Sequence, residues 1–291
     1  MRLFNPFREF WSLVTEQRKQ IDEVASLLPA LREMNAKIVP FRDLLTQMDF
    51  ALQARALDLL RPLRPFSAQG HGKIRVGSDF DGGYVCLDDF AGITAAFSCG
   101  IGGNDSFDLS CAERGIDVLQ FDHTIQSPPT RHPKLRFFRE QIVPVPTPGG
   151  RTLAQLVREY PGDAPDLLLK IDIEYDEWPV FDAMELAEIG RFRQIVGEFH
   201  GFHKIDDVEY CTRMLRVLRK IDSAFFVCHV HANNYSGIGN FANVVVPHTL
   251  EITFANRSVY TPYRSHDIFP TTLDAPCDPG RPDYHLGSFW F

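Results

Sequence analysis

The chain has 291 residues, of which 44% are hydrophobic and 23% charged, as is typical of a globular protein with a sizeable core. Its net charge of −8 at pH 7 lacks the basic excess of proteins that bind nucleic acid, so no nucleic-acid partner is expected. No transmembrane helix and no signal peptide are expected, and the six scattered cysteines, which form no C-x-x-C pair, predict reduced thiols in a cytoplasmic protein.

Residues from about 6 to 62 contain no strand signal, and residues 1–66 are predicted to form a helical N-terminal extension. Asn35 lies in register with a series of apolar residues spaced by about 3.5 positions, and a buried asparagine in such a series can fix the oligomeric state of a coiled coil. The series consists of Val14, Ile21, Val24, Leu28, Leu31 and Ile38. Pro29 and Pro40 predict breaks, since a proline inside a helix costs about 3 kcal/mol, so two or three helices are expected.

Three roles are open for this extension. It would be a lid packed on the main domain, or an arm that joins copies of the chain into a homo-oligomer. Peripheral membrane contact is the third role, because apolar side chains lie beside arginines at the very start of the segment. These residues are Phe4, Phe7, Phe10 and Trp11, with Arg2 and Arg8.

Residues 67–291 are predicted to form one α/β domain, because short apolar runs alternate with amphipathic stretches. The predicted strands are 94–98, 118–121, 135–140, 167–173, 194–199, 225–230 and 250–255, and the predicted helices are 106–114, 153–159, 178–189 and 208–221. This alternation predicts a seven-stranded, mostly parallel sheet with helices on both faces. The last two strands lack a helix between them and are expected to form an antiparallel edge hairpin connected by residues 233–247.

The first predicted strand leads into a glycine-rich turn whose spacing does not fit the dinucleotide pattern G-x-G-x-x-G. Ligands of such sheets bind at the carboxyl ends of the strands. Asp122 follows the second strand about 20 residues after the turn, a spacing at which a carboxylate can accept hydrogen bonds from both hydroxyls of a ribose. Upstream, Asp81-Gly82-Gly83 is interpreted either as a hairpin tip or as a loop folded over the site, where glycine allows the backbone to approach a ligand.

Later strand ends deliver further acids and histidines to the same edge. Asp172 follows one strand, while Glu198 with His200 and His229 with His231 end two others, and residues two apart on a strand share a face. We therefore expect a functional site at this edge.

The ordered segments DGGYV, SCGIGGNDSFD, FDHT, LLKIDIE with EW, EFH, HVHANN and LEITF resemble the FkbM family of S-adenosylmethionine-dependent O-methyltransferases, and most of all its branch related to animal methyltransferase-like proteins. The resemblance runs from about Lys73 to Phe254. It implies a Rossmann-like class I methyltransferase fold, with S-adenosylmethionine as the cofactor. A sulfonium nucleoside carries no phosphates, which would explain the departure from the dinucleotide glycine pattern.

The resemblance also implies roles for individual residues. Asp122 would hold the ribose, the segment around Val143 would flank the adenine, and Asp172 would lie beside the methyl donor and acceptor. With the loop at Asp81, the candidate cofactor-binding residues are Asp81, Gly82, Gly83, Cys99, Gly100, Gly102, Asp105, Ser106, Phe107, Asp122 and Asp172. Family members commonly carry glycine after the D-x-E segment, where this chain has Tyr175, and the larger side chain would narrow the acceptor pocket or shift the loop.

Two mechanisms can activate an acceptor hydroxyl here, with His231, Asp172, Glu198 and His200 as the candidate catalytic residues. In one, a histidine is the general base, with His231 as the first choice and His200 as the second. In the other, Asp172, Glu198 and His231 hold a divalent metal ion. The metal-free base is preferred, because oxygen-ligand sites usually show more clustered carboxylates.

The predicted function is O-methylation of a hydroxyl on a sugar or glycan. The alternatives are O-methylation of a non-sugar secondary metabolite or lipid, and a catalytically inactive binding subunit with a methyltransferase fold.

Overall fold

The computed structural model describes residues 6–162 and 164–291, except for the side chains of residues 6–12 and 38–49. It contains two compact units, of which the first ends at Ala51 and the second spans Leu52–Phe291. The functional boundary between residues 66 and 67 stays a prediction.

The helices are α1 (Pro6–Leu60), α2 (Ser106–Glu113), α3 (Leu153–Glu159), α4 (Glu177–Ala183), α5 (Leu186–Ile189) and α6 (Val208–Asp222), with 3-10 turns at Arg61–Leu63 and Phe202–Lys204. The strands are β1 (Phe66–Ala68), β2 (Lys73–Val76), β3 (Tyr84–Leu87), β4 (Ala95–Cys99), β5 (Asp117–Phe121), β6 (Leu135–Phe138), β7 (Gln141–Ile142), β8 (Gly150–Arg151), β9 (Leu167–Ile171), β10 (Phe192–His200), β11 (Phe225–Ala232), β12 (Ile238–Phe241), β13 (Val244–Pro247), β14 (Thr249–Asn256) and β15 (Pro262–Arg264). Among the described residues, no helix is long and apolar enough to cross a membrane.

Helix α1 corrects the expectation of breaks at Pro29 and Pro40, since it continues for 55 residues through both prolines. A proline removes one backbone hydrogen bond, but the flanking glutamates, leucines, alanines and lysines favour helix and keep it continuous on either side. The last turns of α1 belong to the second unit, where Ala56, Leu59 and Leu60 are buried in the core.

The apolar series of the first unit lies on the helix surface. Ile21, Val24, Leu28 and Leu31 are between 46% and 67% exposed. Pairing of this surface with another copy stays a prediction. The proposed membrane-contacting residues at the start of the chain lie outside the residues whose side chains the structure describes.

The second unit contains the predicted seven-stranded sheet, in the order β11-β14-β10-β9-β4-β5-β6. Strands β6, β5, β4, β9 and β10 pair in parallel, while β14 is antiparallel to both of its neighbours, β10 and β11. The expected α/β architecture is therefore confirmed, and β14 and β11 form the expected antiparallel edge. The connection between them, which was expected to be a loop, contains a second hairpin, β12–β13.

Helices cover both faces of the sheet, as the alternation of buried residues shows. Along β4, Phe97 packs into one core and its neighbour Ala96 into another, and Leu169 and Leu168 on β9 divide in the same way. Since successive strand residues point to opposite faces, these are the two faces of the sheet. One core includes α3, α4, α5, α6 and the end of α1, and the other includes α2 and the β2–β3 hairpin.

The predicted single helix 178–189 is wrong, because the chain forms α4 and α5 with extended backbone at Met184 and Glu185. Glu185 caps the second helix through reciprocal hydrogen bonds with Glu188. The Lys220 ammonium donates to carbonyls of Phe181, Asp182 and Met184 at the end of α4, so both helix ends at the break are satisfied. All six cysteines of the chain are free and buried.

Candidate functional site

A cavity of about 470 Å³ lies at the carboxyl ends of the parallel strands. Its wall is built from the β2–β3 loop, the glycine-rich turn after β4, the ends of β5 and β9, and the segment at β7. It is lined by Asp81, Gly82, Tyr84, Gly100, Ile101, Gly102, Gly103, Asn104, Phe121, Asp122, His123, Thr124, Glu140, Gln141, Ile142, Lys170, Asp172, Ile173, Glu174 and Asp176. The cavity therefore lies where open α/β sheets bind their ligands.

The glycine-rich turn brings the chain into close contact with the segment after β9. A Cβ atom on Gly100 would lie 1.7 Å from the carbonyl oxygen of Asp172, and the residue has φ +80°, so glycine is required there. Gly102 and Gly103 have nothing within 4 Å of the position of a Cβ. The turn therefore presents open backbone to the cavity.

Asp122 holds this turn in place. Its Oδ2 accepts hydrogen bonds of 2.8 Å from the amides of both Ile101 and Gly102, and its Oδ1 accepts from the amide and hydroxyl of Thr124. Although burial raises its pKa, the hydrogen bonds from Gly102, Thr124 and Ile101 lower the pKa of Asp122 to about 2. The carboxylate is thus ionised at the cavity wall, and any ribose contact would be added to these bonds.

Six of the eleven predicted cofactor-binding residues line the cavity, and the other five lie outside its lining. The lining residues are Asp81, Gly82, Gly100, Gly102, Asp122 and Asp172. Cys99 is fully buried, Asp105 accepts two hydrogen bonds from Thr130, and Phe107 packs edge-on against Tyr84. The Ser106 hydroxyl accepts from the Ser78 amide and so ties α2 to the β2–β3 loop.

The Asp81–Gly83 segment combines both interpretations made from the sequence. It lies in the loop of the antiparallel β2–β3 hairpin, and its Asp81 and Gly82 line the cavity. Gly83 is not a lining residue. A Cβ there would lie 1.9 Å from the carbonyl oxygen of Ser78, so this close backbone contact requires glycine. Burial, with the charges of Asp172 and Glu251, raises the pKa of Asp81.

A cluster of acids and one histidine lies beside the cavity near β9 and β10, and its Asp172 and Glu174 line the cavity. Ligand atoms of Asp172, Glu174 and His200 all lie within 4.8 Å of one another. Nε2 of His200 is 3.5 Å from Oε2 of Glu174 and 3.6 Å from Oε2 of Glu198, while its Nδ1 is hydrogen-bonded to Oε1 of Glu177 at 3.1 Å. The structure therefore brings Asp172 and His200 together, with Glu198 beside them.

Two side chains of this cluster have shifted pKa values. Burial, together with the charges of Asp172 and Glu251, raises the pKa of Glu198 well above its usual value. Burial lowers the pKa of His200, but the hydrogen bond and charge of Glu177 outweigh it, so the net shift is upward.

Tyr175 lies at the rim of this cluster in a backbone conformation that favours glycine. Its φ is +78°, and Glu174 before it has φ +52°. The Tyr175 ring is 40% exposed, with its centroid 5.3 Å from that of His200 and 4.9 Å from the Lys204 ammonium. The substitution noted in the sequence therefore places a strained aromatic residue beside His200.

His231, the first choice for the general base, is buried outside the cavity lining. Its Nδ1 is hydrogen-bonded to Glu251 at 2.8 Å and its Nε2 to Asp283 at 3.0 Å. Burial lowers its pKa, but the hydrogen bonds with Asp283 and Glu251 raise the pKa of His231 to about 10. A histidine that is protonated at neutral pH, with both ring nitrogens engaged, is poorly suited to accept a proton.

The segment after β15 also supplies partners for His229 on β11 and for Asn234 just after it. His229 is hydrogen-bonded to Asp274 at 2.7 Å, and Asn234 is hydrogen-bonded to Asp278 through its side chain. The Cys277 thiol donates to Glu251 at 3.1 Å. These contacts explain the polar residues at the end of β11 as an internal network.

Three residues of the site received no role from the sequence. The Lys170 ammonium donates to the Gly100 carbonyl and lies 3.8 Å from Asp172 Oδ2, so it joins the glycine-rich turn to β9. Glu177 is fully buried and orients His200, and Glu174 belongs to the cluster. Glu174 and Glu177 lie within the quoted LLKIDIE and EW segments, and the signal was the number of acids directly after β9.

Residues 93–225 match a family model described as the methyltransferase FkbM domain. The match confirms the FkbM-type domain that the resemblance implied. It includes Asp122, Asp172, Glu198 and His200, and excludes Asp81 and His231. No curated protein matches the chain.

Two solved structures are similar in part. A Listeria monocytogenes protein assigned as an S-adenosylmethionine dependent methyltransferase is 12% identical, with 58% of this chain and 92% of that chain covered and a TM-score of 0.35. The 1,6-didemethyltoxoflavin-N1-methyltransferase of Burkholderia thailandensis, bound to 1,6-didemethyltoxoflavin and S-adenosylhomocysteine, is 13% identical, with 56% and 70% covered and a TM-score of 0.30.

Proposed function

We propose that this chain, whose residues 93–225 match the methyltransferase FkbM domain, transfers a methyl group from S-adenosylmethionine to a hydroxyl of a sugar or glycan. The observation that carries the proposal is that two residues belong both to the cavity lining and to the cluster at His200. Asp172 and Glu174 line the cavity and also belong to the group with His200. Donor and acceptor would therefore meet at the end of β9.

The charge of the cavity suits this cofactor. Six carboxyl-bearing residues line it, against one lysine and, among the described lining residues, no arginine; the six are Asp81, Asp122, Glu140, Asp172, Glu174 and Asp176. Such a wall repels the phosphates of a dinucleotide and attracts a cation. When bound, S-adenosylmethionine supplies a methyl group on a positively charged sulfur.

The residues of the chain contribute position and proton removal. Asp122 and the open turn at Gly102 would hold the nucleoside, and Lys170 fixes that turn relative to Asp172. The acceptor oxygen bonds to the methyl carbon as the carbon–sulfur bond breaks, and its proton must leave. We assign the activation of this hydroxyl to the cluster of Asp172, Glu174 and His200 rather than to His231, whose nitrogens are both hydrogen-bonded.

Calorimetric titration with S-adenosylmethionine tests the cofactor site. Asp122→Ala removes a charged acceptor and the support of the glycine-rich turn, so affinity should fall about 10- to 100-fold, since a hydrogen bond to a charged group is worth about 1.5–3 kcal/mol. Asp117→Ala is the matched control, because Asp117 lies at the other end of β5 in an exposed ion pair with Lys134. Wild-type protein that binds no cofactor, or equal affinities for Asp122→Ala and the control, would refute the placement.

The acceptor class is tested by transfer of a labelled methyl group to panels of sugars, glycans, lipids and small aromatic alcohols. Label on a sugar oxygen, located by mass spectrometry, supports the proposal. Label confined to lipids or other non-sugar hydroxyls would refute a sugar or glycan acceptor and identify a non-sugar acceptor instead. Cofactor binding without transfer to any panel favours an inactive binding subunit.

A further inference from the structure

The cluster beside the cavity has the spacing of a cation site. Two atoms that each lie about 2.1 Å from one cation are roughly 3.0 to 3.5 Å apart, for angles between octahedral and tetrahedral. Nε2 of His200 is 3.5 Å from Glu174 and 3.6 Å from Glu198. Both separations are too long for good hydrogen bonds and close to those of ligands that share a cation. Glu198 is not counted as a ligand, because its Oε2 already accepts a hydrogen bond of 2.9 Å from the Asn233 side-chain amide.

His200 is oriented in the manner of a metal-ligating histidine. Its side chain is 9% exposed, and its Nδ1 is held by Glu177, whose Oε1 also accepts from the Ile173 amide at 3.0 Å. Histidines that bind metals usually donate their second ring nitrogen to a carboxylate or carbonyl, which fixes the ring and directs the other nitrogen at the metal. Nε2 of His200 is thus directed into a group of carboxylates without a hydrogen-bonding partner at normal distance.

Two neighbouring groups have a similar composition, but the protons on their histidine nitrogens or thiol leave no place for a metal ion. In the group of His231, Glu251 and Cys277, both histidine nitrogens and the thiol make hydrogen bonds to carboxylates. In the group of Asp81, Glu198 and Cys277, burial raises the pKa of the thiol and keeps it protonated. The group at His200 differs because Nε2 of His200 has no hydrogen-bonding partner at normal distance among the described residues.

We propose that Asp172, Glu174 and His200 bind a divalent first-row cation, for which Mn²⁺ is the probe. One imidazole and two carboxylates suit such an ion better than Ca²⁺, which takes oxygen ligands. Asp172 and Glu174 line the cavity, so open coordination positions would face the acceptor. The role of the ion rests on the proposed function: it would bind the acceptor hydroxyl and promote loss of its proton to water.

Titration of chelator-treated protein with Mn²⁺, followed by the paramagnetic resonance of the free aqua ion, tests the site without cofactor or acceptor. Glu174→Gln is the main variant, because the Glu174 side chain is 79% exposed and its replacement should not disturb folding. Asp176→Asn is the matched control, since Asp176 lines the same cavity, lies outside the cluster and makes no side-chain cap for α4.

We expect wild type to bind one Mn²⁺ per chain, Glu174→Gln to bind at least about 10-fold more weakly, and Asp176→Asn to match wild type. Wild-type protein that leaves the aqua-ion signal unchanged would overturn the proposal, as would equal weakening in both variants. A chain that binds S-adenosylmethionine but no Mn²⁺ refutes the cation site and leaves the proposed function standing. A chain that binds Mn²⁺ but no S-adenosylmethionine refutes the proposed function and leaves the cation site standing.

Discussion

His231 should stabilise the folded chain as a buried cation, and this contribution should disappear in alkaline solution. Its contacts with Asp283 and Glu251 outweigh burial and raise its pKa from 6.5 to about 10. Because the folded pKa exceeds the unfolded one, the stabilisation is complete below about pH 6.5 and is lost as the pH rises through about 10. At about 1.4 kcal/mol for each unit, the shift corresponds to an upper limit of about 5 kcal/mol.

Urea unfolding of wild type and His231→Gln at about pH 7 and about pH 10 measures this contribution. The linkage relation predicts that the difference in unfolding free energy between the two proteins shrinks by about 3 to 4 kcal/mol over this range. Ionisation of the buried thiols affects both proteins and cancels in the comparison. His248→Gln is the control, because burial lowers the pKa of His248 and takes it out of this range. A wild-type advantage over His231→Gln that is the same at both pH values would refute the reasoning.

Two further pairs of substitutions test the backbone of the site. Gly100→Ala should destabilise the fold by more than about 2 kcal/mol, because its Cβ would lie 1.7 Å from the Asp172 carbonyl oxygen. Gly102→Ala should cost only about 1 kcal/mol, because the space around Gly102 is open and only its φ of +56° is unfavourable for alanine. Urea unfolding that gives the opposite order would contradict this account. Tyr175→Gly should be more stable than Tyr175→Ala by about 1 kcal/mol in thermal unfolding. Both variants lose the ring, but only glycine adopts the φ of +78° without backbone strain. An equally stable alanine variant would show that the backbone is not strained.

The sheet could be predicted from the sequence because each strand is a short apolar run between polar segments. The helix 153–159 was predicted with the bounds of α3, and the cavity followed from the rule that parallel strands present their carboxyl ends at one edge. The break between α4 and α5 could not be predicted from periodicity, since it depends on a capping box at Glu185 and on Lys220 from α6.

The candidate site was predictable where the sheet topology brings its residues together, and unpredictable where a segment without a periodic pattern supplies the partner. Asp172 and His200 end adjacent strands, so their meeting followed from topology. The role of His231 depends on Asp283, which is 52 residues away in a segment without periodic pattern. The preference for a metal-free base assumed few clustered carboxylates, and it stays a prediction. In the structure, ligand atoms of Asp172, Glu174 and His200 lie within 4.8 Å of one another, and Glu198 is 3.6 Å from the same histidine.

The contacts between β11 and the segment after β15 also set an order of events during synthesis. His229 and His231 precede their partners Asp274 and Asp283 by 45 and 52 residues. At a translation rate of about 5–20 residues per second, the two histidines leave the ribosome roughly 2 to 10 s before those carboxylates. The seven strands of the sheet are complete at Asn256, so the sheet can form while these histidines still face water. The hydrogen bonds of these histidines to Asp274 and Asp283 can therefore form only after every strand of the sheet has been synthesised.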